Sequence, residues 1–505
     1  MRCSRLGDTR ISEPGRKVTE VPDFRIQRCN EFETSPQGDY VLYWMIAHRR
    51  THWNFSLQRA VEWSRRLNRP IVILEALRCG YQWASDRLHR FVVEGMQDNA
   101  SALRKTGVLY YPYLEPEPGA GKGLLRELQK RACVVVTDDF PCFFLPRMVA
   151  SAARQLSVLL EKVDSNGVLP FRWADRAFLT AHSFRRFLQN AIEPHLHSLP
   201  EPDPLAAGVC PFTGQLPARI PERWPPAHDL LQCMEEASLA SFPIDHSVPR
   251  SSIRGGASEA HGTLQRFLDE DLPRYADCRN HPDDHATSNL SPYLHFGHIS
   301  VHQVFYELIR LEGWSRSRMF GVGRGQREGW WGMSRNAESF LDQLITWREL
   351  GYNLCAHLPA YDRYESLPAW AKETLEWHRN DPRPYRYGLD RFENADTHDQ
   401  LWNAAQRQLK REGRIHGYLR MVWGKKILEW TESPEEALEI MIHLNNKYAL
   451  DGRNPNSYTG ISWILGRYDR PWAPERPVFG KIRYMSSEST RRKLRLKQYL
   501  GKYSE

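Results

Sequence analysis

The chain has 505 residues, enough for two to four domains that each bury a core of their own. Apolar residues make up 41% of it, which excludes wholesale disorder, and no run of about 18 apolar residues appears, which excludes a membrane-spanning helix. The formal net charge of +8 suits a partner that carries phosphates without deciding for one.

Nine cysteines stand far apart and none falls in a CxxC pair, so a zinc ribbon or a dithiol redox motif has no support and no metal site is expected. Their odd number fits a reducing compartment. The basic N-terminal stretch MRCSRLGDTRISEPGRKV has no apolar core of a secretion signal. A soluble intracellular protein is expected, in the cytoplasm or, for a bacterium, the nucleoid. Seventeen tryptophans are the compositional outlier. They suit buried packing, or a cofactor that uses rings for stacking or electron hopping, and composition leaves both open.

Strand-like and helix-like segments alternate in the first 200 residues. Asp39–Met45, Ile71–Leu77, Val108–Leu114 and Cys133–Thr137 are apolar runs of strand length. Helical periodicity covers Trp53–Leu67 and Arg87–Arg104, with further helices expected from Leu124 and after Pro146. Repeated βα units of this size predict a parallel, Rossmann-like sheet covered by helices, an α/β domain over residues 26–198. The Pro/Gly-rich stretch Leu199–Pro226 lacks periodicity and predicts an interdomain connection, placed at 199–250.

After Ser251 strands nearly vanish. Helices are predicted at 258–270, 299–311, 338–356, 368–378, 398–412, 415–431 and 434–449, which defines an all-helical domain over 251–490. Thr397 with Gln400, and Ser433 with Glu436, have capping-box spacing, and Pro434 takes the favoured first helical position. The intervening GWSRSRMFGVGRGQREGWWGMSRN (313–336) reads as a mobile loop. Its Gly321, Gly323 and Gly325 follow no strand, so they do not make a nucleotide-binding turn, and PGAGKG at 118–123 fails as a phosphate loop because Gly follows Lys122.

Three C-terminal segments carry more polar groups than packing requires. In YADCRNHPDDHATSNLSPYLHFG (275–297), Thr287, Ser288 and Ser291 either cap a helix starting at His298 or receive phosphate oxygens. In IHGYLRMVWGKKILEW (415–430), Trp423 and Trp430 stand two turns apart on one helical face, an arrangement that is ordinary core or, with Trp402, part of an electron path. Arg420 on the same helix needs a carboxylate partner if it is buried. The third, Asn445–Met485, interleaves Trp463 and Trp472 with Arg453, Arg470 and Arg483, which suits either a loop-rich surface or a pocket for an extruded base.

The segments SNLSPYLHFG (288–297), DPRPYRYGLDRFENADTHDQLWNAAQ (381–406), IHGYLRMVWGKKILEWTESPEEAL (415–438), LDGRNPNSYTGISW (450–463), DRPW and RPVFGKIRYM resemble class II cyclobutane pyrimidine dimer DNA photolyases, nearly collinearly from Tyr275 to Met485. YVLYWMIAHRRTHWN (40–54) resembles that family's opening strand and helix. The resemblance implies FAD, fully reduced in the active state, held U-shaped by the helical domain. Tyr275, Thr287, Ser288, Leu290, Ser291 and Gly452 would contact it, Arg420 and Asp451 would pair beside its ring system, and Asn445 would face its central-ring nitrogen. Trp423, Trp402 and Trp430 match the family's proximal, middle and distal electron carriers. Arg279, Asn280, Trp347, Met421, Trp463 and Trp472 match lesion-pocket positions, and Arg470 and Arg483 match positions near the opened duplex. The implied partner is damaged DNA and the implied state a monomer. In the implied mechanism, light drives an electron from reduced flavin to the dimer, the cyclobutane ring splits, and the electron returns. A second, antenna chromophore, deazaflavin or folate, is implied for the first domain, without assignable pocket residues.

One position departs from the family. Where LEELI is usual the chain has LDQLI, so Gln343 replaces a glutamate that touches the flipped dimer. Gln donates a hydrogen bond but supplies no proton, which predicts slower repair. It also leaves open a changed lesion preference or a cryptochrome-like signalling role. A flavin-free nucleic-acid-binding protein on the same scaffold is the third reading, disfavoured by Asn445, Asp451 and Arg420.

Overall fold

The computed structural model describes residues 20–233 and 239–504; Cys3 and the basic N-terminal stretch lie outside them. Six strands, β1 (Ile26–Arg28), β2 (Tyr40–Met45), β3 (Ile71–Leu77), β4 (Leu109–Leu114), β5 (Ala132–Asp138) and β6 (Leu160–Val163), form one sheet in the order β1-β6-β5-β2-β3-β4. All neighbours run parallel except β1, which pairs antiparallel with β6. The sequence reading had no β1 or β6. Both are short, and the mixed IQR and LEKV residues of the edge strand β1 and of β6 beside it hide the strand period.

β2 is central, and both of its faces are buried because helices cover both sides of a parallel sheet. Val41, Tyr43 and Met45 pack with α1 (Phe55–Leu67) and α2 (Asp86–Leu103). Tyr40, Leu42 and Trp44 face α3 (Leu124–Gln129) and α4 (Leu145–Ala153). At the C-terminal edge of β5 the buried Asp138 carboxylate accepts the backbone N–H groups of Ile46, Ala47 and His48 at 2.7–2.9 Å. Burial opposes its charge, but His48 and these amides hold the carboxyl well below its ordinary range. A further helix, α5 (Ala181–Ala191), has Thr180 as its N-cap. Residues 199–233 and 239–250 follow, with Trp224 buried and its indole N–H on Ala120 O at 2.9 Å.

The rest is helical: α6 (Ala257–Arg266), α7 (Ser291–Phe296), α8 (Val301–Leu311), α9 (Arg335–Leu341), α10 (Arg348–His357), α11 (Ala369–Trp377), α12 (Gln400–Glu412), α13 (Gly417–Trp430), α14 (Pro434–Tyr448) and α15 (Pro455–Ile464), with α16 (Ser487–Lys493) and α17 (Lys497–Lys502) in the tail. Buried polar groups lock this region to the sheet domain. Arg87 of α2 donates to the carbonyls of Tyr448 and Leu409 at 2.8 and 3.3 Å. Glu349 of α10 accepts the N–H groups of Val168 and Leu169 at 2.7 and 3.1 Å, and its burial pushes the carboxyl up to about 8.

Several boundaries differ from expectation, each for a local reason. The cap of α12 is Asp399, which accepts from Leu401 and Trp402 N–H, while Thr397 is drawn off by Asn403. Ser433 does cap α14, accepting the Glu436 N–H at 3.1 Å. The helix predicted at 338–356 is interrupted by a π-helical turn, Asp342–Trp347. α8 begins at Val301 behind its own cap Ser300, so Thr287, Ser288 and Ser291 are not its caps. In the loop after α8, Trp330 and Trp331 are buried in the helical core, which anchors a segment that reads as mobile from its glycines.

Candidate active site

α12 and α13 cross so that three indoles form a contiguous row. Trp402 and Trp423 stack at 6.4 Å between ring centroids with planes 6° apart, and Trp402 meets Trp430 at 6.1 Å and 66°. Trp402 therefore stands between two residues that are seven apart on α13. Hydrogen bonds fix the rings: Trp402 Nε1 donates to Trp423 O at 2.9 Å, and Trp423 Nε1 donates to Gln406 Oε1 at 2.9 Å. All three indoles are buried. Beyond Trp430 lie the rings of His398 at 4.8 Å and Tyr387 at 5.7 Å, and these lead to the exposed Tyr385.

Arg420 sits one turn before Trp423 on the same face of α13. Its Nη2 donates to Asp451 Oδ1 at 2.9 Å, so this half-buried arginine has a carboxylate partner. Gly452 follows, packed against the backbone carbonyl of the buried Asn445. Asn445 Nδ2 donates to Asn446 Oδ1 at 3.2 Å. Two buried donors here, Gln406 Nε2 and Arg420 Nε, have no protein partner. Such orphans are costly unless a ligand satisfies them, and they suit one rich in acceptor oxygens and ring nitrogens.

The hydroxyl-bearing segment adjoins this wall. Arg414 donates to Asn289 Oδ1 at 2.7 Å, and Asn454 Nδ2 meets His295 Nδ1 at 3.1 Å, so both ends of 289–295 touch the segment that runs from 414 to 454. Ser288 Oγ accepts only the Leu290 N–H, at 3.5 Å, and Ser291 is exposed. The Leu290 side chain belongs to the helical core, as does Tyr275, whose ring contacts Phe267 and Phe340.

A second cluster is aromatic. Trp347 and Trp463 stack at 4.7 Å with planes 16° apart. Gln343 is half-buried on the π turn that carries Trp347. In an α-helix residues five apart point about 140° away from each other; the π turn brings Asp342 and Trp347 together instead. Trp347 Nε1 donates to Asp342 Oδ2 at 3.2 Å, and Arg185 of α5 grips the same carboxylate at 2.8 and 3.2 Å. Sequence reasoning missed Arg185 and Asp342, because one lies in the divergent stretch 154–250 and the link needs the π turn. On the neighbouring loop Trp472 is flanked by Arg470 and Arg483, whose guanidinium carbons stand 5.1 and 5.2 Å from its ring. Met421 is half-buried on α13, Arg279 lies 5.6 Å from the Tyr275 ring, and Asn280 is exposed.

In the sheet domain a cavity of about 270 Å³ opens beyond the C-terminal ends of β2, β3 and β4. Trp44, Tyr81, Tyr113 and Phe144 supply aromatic walls, and Arg49, Arg78, Glu115 and Lys122 supply charge. Open α/β sheets bind ligands at this edge, a rule that could have pointed to the cavity from the strand assignments alone.

A mostly parallel α/β domain joined to a helical domain is the photolyase architecture. A bacterial class III photolyase from Agrobacterium tumefaciens, of known crystal structure, shares it at a TM-score of 0.65 and 18% identity, over 93% of this chain and 87% of its own. No protein-family model matches the chain. It is 34% identical over 480 residues to the deoxyribodipyrimidine photo-lyase of Methanothermobacter thermautotrophicus, covering 95% of this chain and 97% of that one. It is 32% identical over 504 residues to the enzyme of that name from Potorous tridactylus, covering 97% and 87%, and 32% identical over 468 residues to that of Arabidopsis thaliana, covering 91% and 88%. The chain belongs to the deoxyribodipyrimidine photo-lyase family. No helix among the described residues is long and apolar enough to cross a membrane.

Proposed function

We propose that the chain is a class II photolyase that uses light and FAD to split cyclobutane pyrimidine dimers in damaged DNA. The observation that carries this reading is the relay Trp423–Trp402–Trp430 ending one helical turn from the Arg420–Asp451 pair. When bound, FAD supplies a light-excited electron donor that opens the cyclobutane ring and recovers its electron. Arg420, Asp451, Asn445 and Gly452 would hold its ring system, with Arg420 Nε and Gln406 Nε2 as donors awaiting acceptors. Tyr275, Thr287, Ser288, Leu290 and Ser291 would meet its phosphates and sugars, Leu290 through its backbone.

The indoles carry electrons inward from the surface side, and their burial keeps water from the two rings nearest the cofactor. Trp347 and Trp463 form the apolar wall against which a flipped dimer would rest, with Met421 on α13 and Arg279 and Asn280 at the rim. Trp472, Arg470 and Arg483 would contact the opened duplex. The cavity above β2–β4 is the antenna site in this reading, its aromatic walls suiting a planar deazaflavin or folate.

Gln343 favours a second reading, a cryptochrome-like photoreceptor or a photolyase with altered lesion preference, because its amide cannot protonate a reduced base. Illumination of the reduced protein with a dimer-containing oligonucleotide decides between them. Restored thymines support repair; absence of turnover overturns it.

A further inference from the structure

The arginine-bearing loop 313–336 is built onto the exposed stripe of α5, His182, Arg186 and Asn190, which stand one turn apart. Asn190 exchanges two hydrogen bonds with the Gly323 backbone, at 2.8 and 3.2 Å. Gln189 likewise donates to Gln326 O at 2.8 Å and accepts the Gly325 N–H at 2.7 Å. The contact is close enough to require glycine. A Cβ on Gly323 would lie 2.3 Å from Gln189 Cβ, and Gly325 has φ +83° with its Cβ position 2.7 Å from His182. Trp330 and Trp331 root the far end of the loop in the core.

So anchored, the loop presents cations. Residues 313–327 hold four arginines and no acidic residue. Arg316 pairs with Glu193, and Arg318 donates to Glu312 O at 3.1 Å. Arg324 and Arg327 are exposed and have no ion-pair partner among the described residues, and Arg186 is exposed beside them.

α5 also buttresses the Trp347–Trp463 cluster. Its Arg185 holds Asp342, which holds Trp347, and its cap Thr180 bridges to Tyr468, two residues before Arg470. The arginine patch thus lies on the same helix that buttresses the indole cluster. We propose that Arg324, Arg327 and Arg186 grip DNA phosphates flanking the lesion, which makes the loop an added backbone clamp. This rests on the photolyase reading above and extends its footprint beyond the pocket.

Unpaired cations in an acid-free stretch favour a polyanion over a protein partner, despite the exposed Phe320 and Val322 at the tip. The test measures binding of the full-length protein to a lesion-bearing duplex across a salt series. Each phosphate contact contributes about 0.9 to the slope of log K against log salt, so Arg324→Ala with Arg327→Ala lowers the slope by about 1.8, and adding Arg186→Ala brings the loss to about 2.7. Repair of the duplex falls relative to repair of an isolated dinucleotide dimer, which has no flanking phosphates for the clamp to hold. An unaltered slope overturns the clamp, leaving the tip to a protein partner. Wild-type protein that repairs neither substrate overturns the photolyase reading instead, so the two failures are told apart.

Discussion

Asp342 accepts the indole N–H of Trp347 at 3.2 Å across a single π turn. The carboxylate is itself held by Arg185, whose side chain is only 4% exposed. Removing one partner of a buried pair leaves an uncompensated charge, which costs about 3 kcal/mol when the remaining carboxylate keeps some contact with water. Arg185→Leu is therefore expected to lower the unfolding free energy by that amount, read from denaturant titrations. It should also raise the KM for lesion-bearing DNA more than it lowers kcat, because Trp347 loses the group that orients it. A variant with normal stability and KM would show that the pair does not position the cluster.

The stacked Trp402–Trp423 pair predicts a separation of two activities. Trp423→Phe breaks the relay at the ring nearest Arg420 and the proposed cofactor, so photoreduction of oxidised flavin should be lost. Repair by chemically pre-reduced protein needs no relay and should survive largely intact. Transient absorption and a repair assay on one preparation read both. Equal loss of the two would count against the electron path and in favour of plain packing.

Gln343 sits on the π turn four residues before Trp347. A carboxylic acid there could donate a proton or a strong hydrogen bond to the base as charge develops, whereas the amide offers only a weaker donor. Gln343→Glu should raise the yield of dimer repair per absorbed photon. An unchanged or lower yield would mean that the amide is matched to a different lesion.

Much of this arrangement was legible from residues alone, and the reasons differ by element. β3 (Ile71–Leu77) is apolar but for Glu75 and follows Pro70, so its bounds follow from run length and breaks. Arg420 called for a carboxylate if buried, and, half-buried, it pairs with the half-buried Asp451. β1 and β6 were not legible, because they are short and Gln27, Arg28, Glu161 and Lys162 leave them no apolar run. The first-domain cavity belongs to no local motif, since its walls come from three strand ends and the segments after β4 and β5. The Arg185–Asp342–Trp347 link was hidden for a geometric reason: at ideal helical pitch residues 342 and 347 point apart, and a wide turn is not encoded by any simple pattern.

Lys425, two residues after Trp423, offers a prediction about pH. It is fully buried, and its ammonium donates to the carbonyl of Ile464 at the end of α15 at 2.5 Å. Burial, with Arg483 adding to it and Asp469 opposing, brings this lysine down to about 7 from its ordinary 10.5. Between those values the unfolded chain keeps a proton that the folded one has released, so stability gains from this group as pH rises. Below pH 7 both states are protonated and the contribution is flat. In Lys425→Met the term disappears while the packing remains. The stability of wild type minus that of the variant should hold constant below pH 7 and climb by roughly 1 kcal/mol per pH unit from 7 toward 9 in denaturant titrations. A difference that stays level across that range would mean that Lys425 keeps its charge in the fold, with water reaching it beside Ile464.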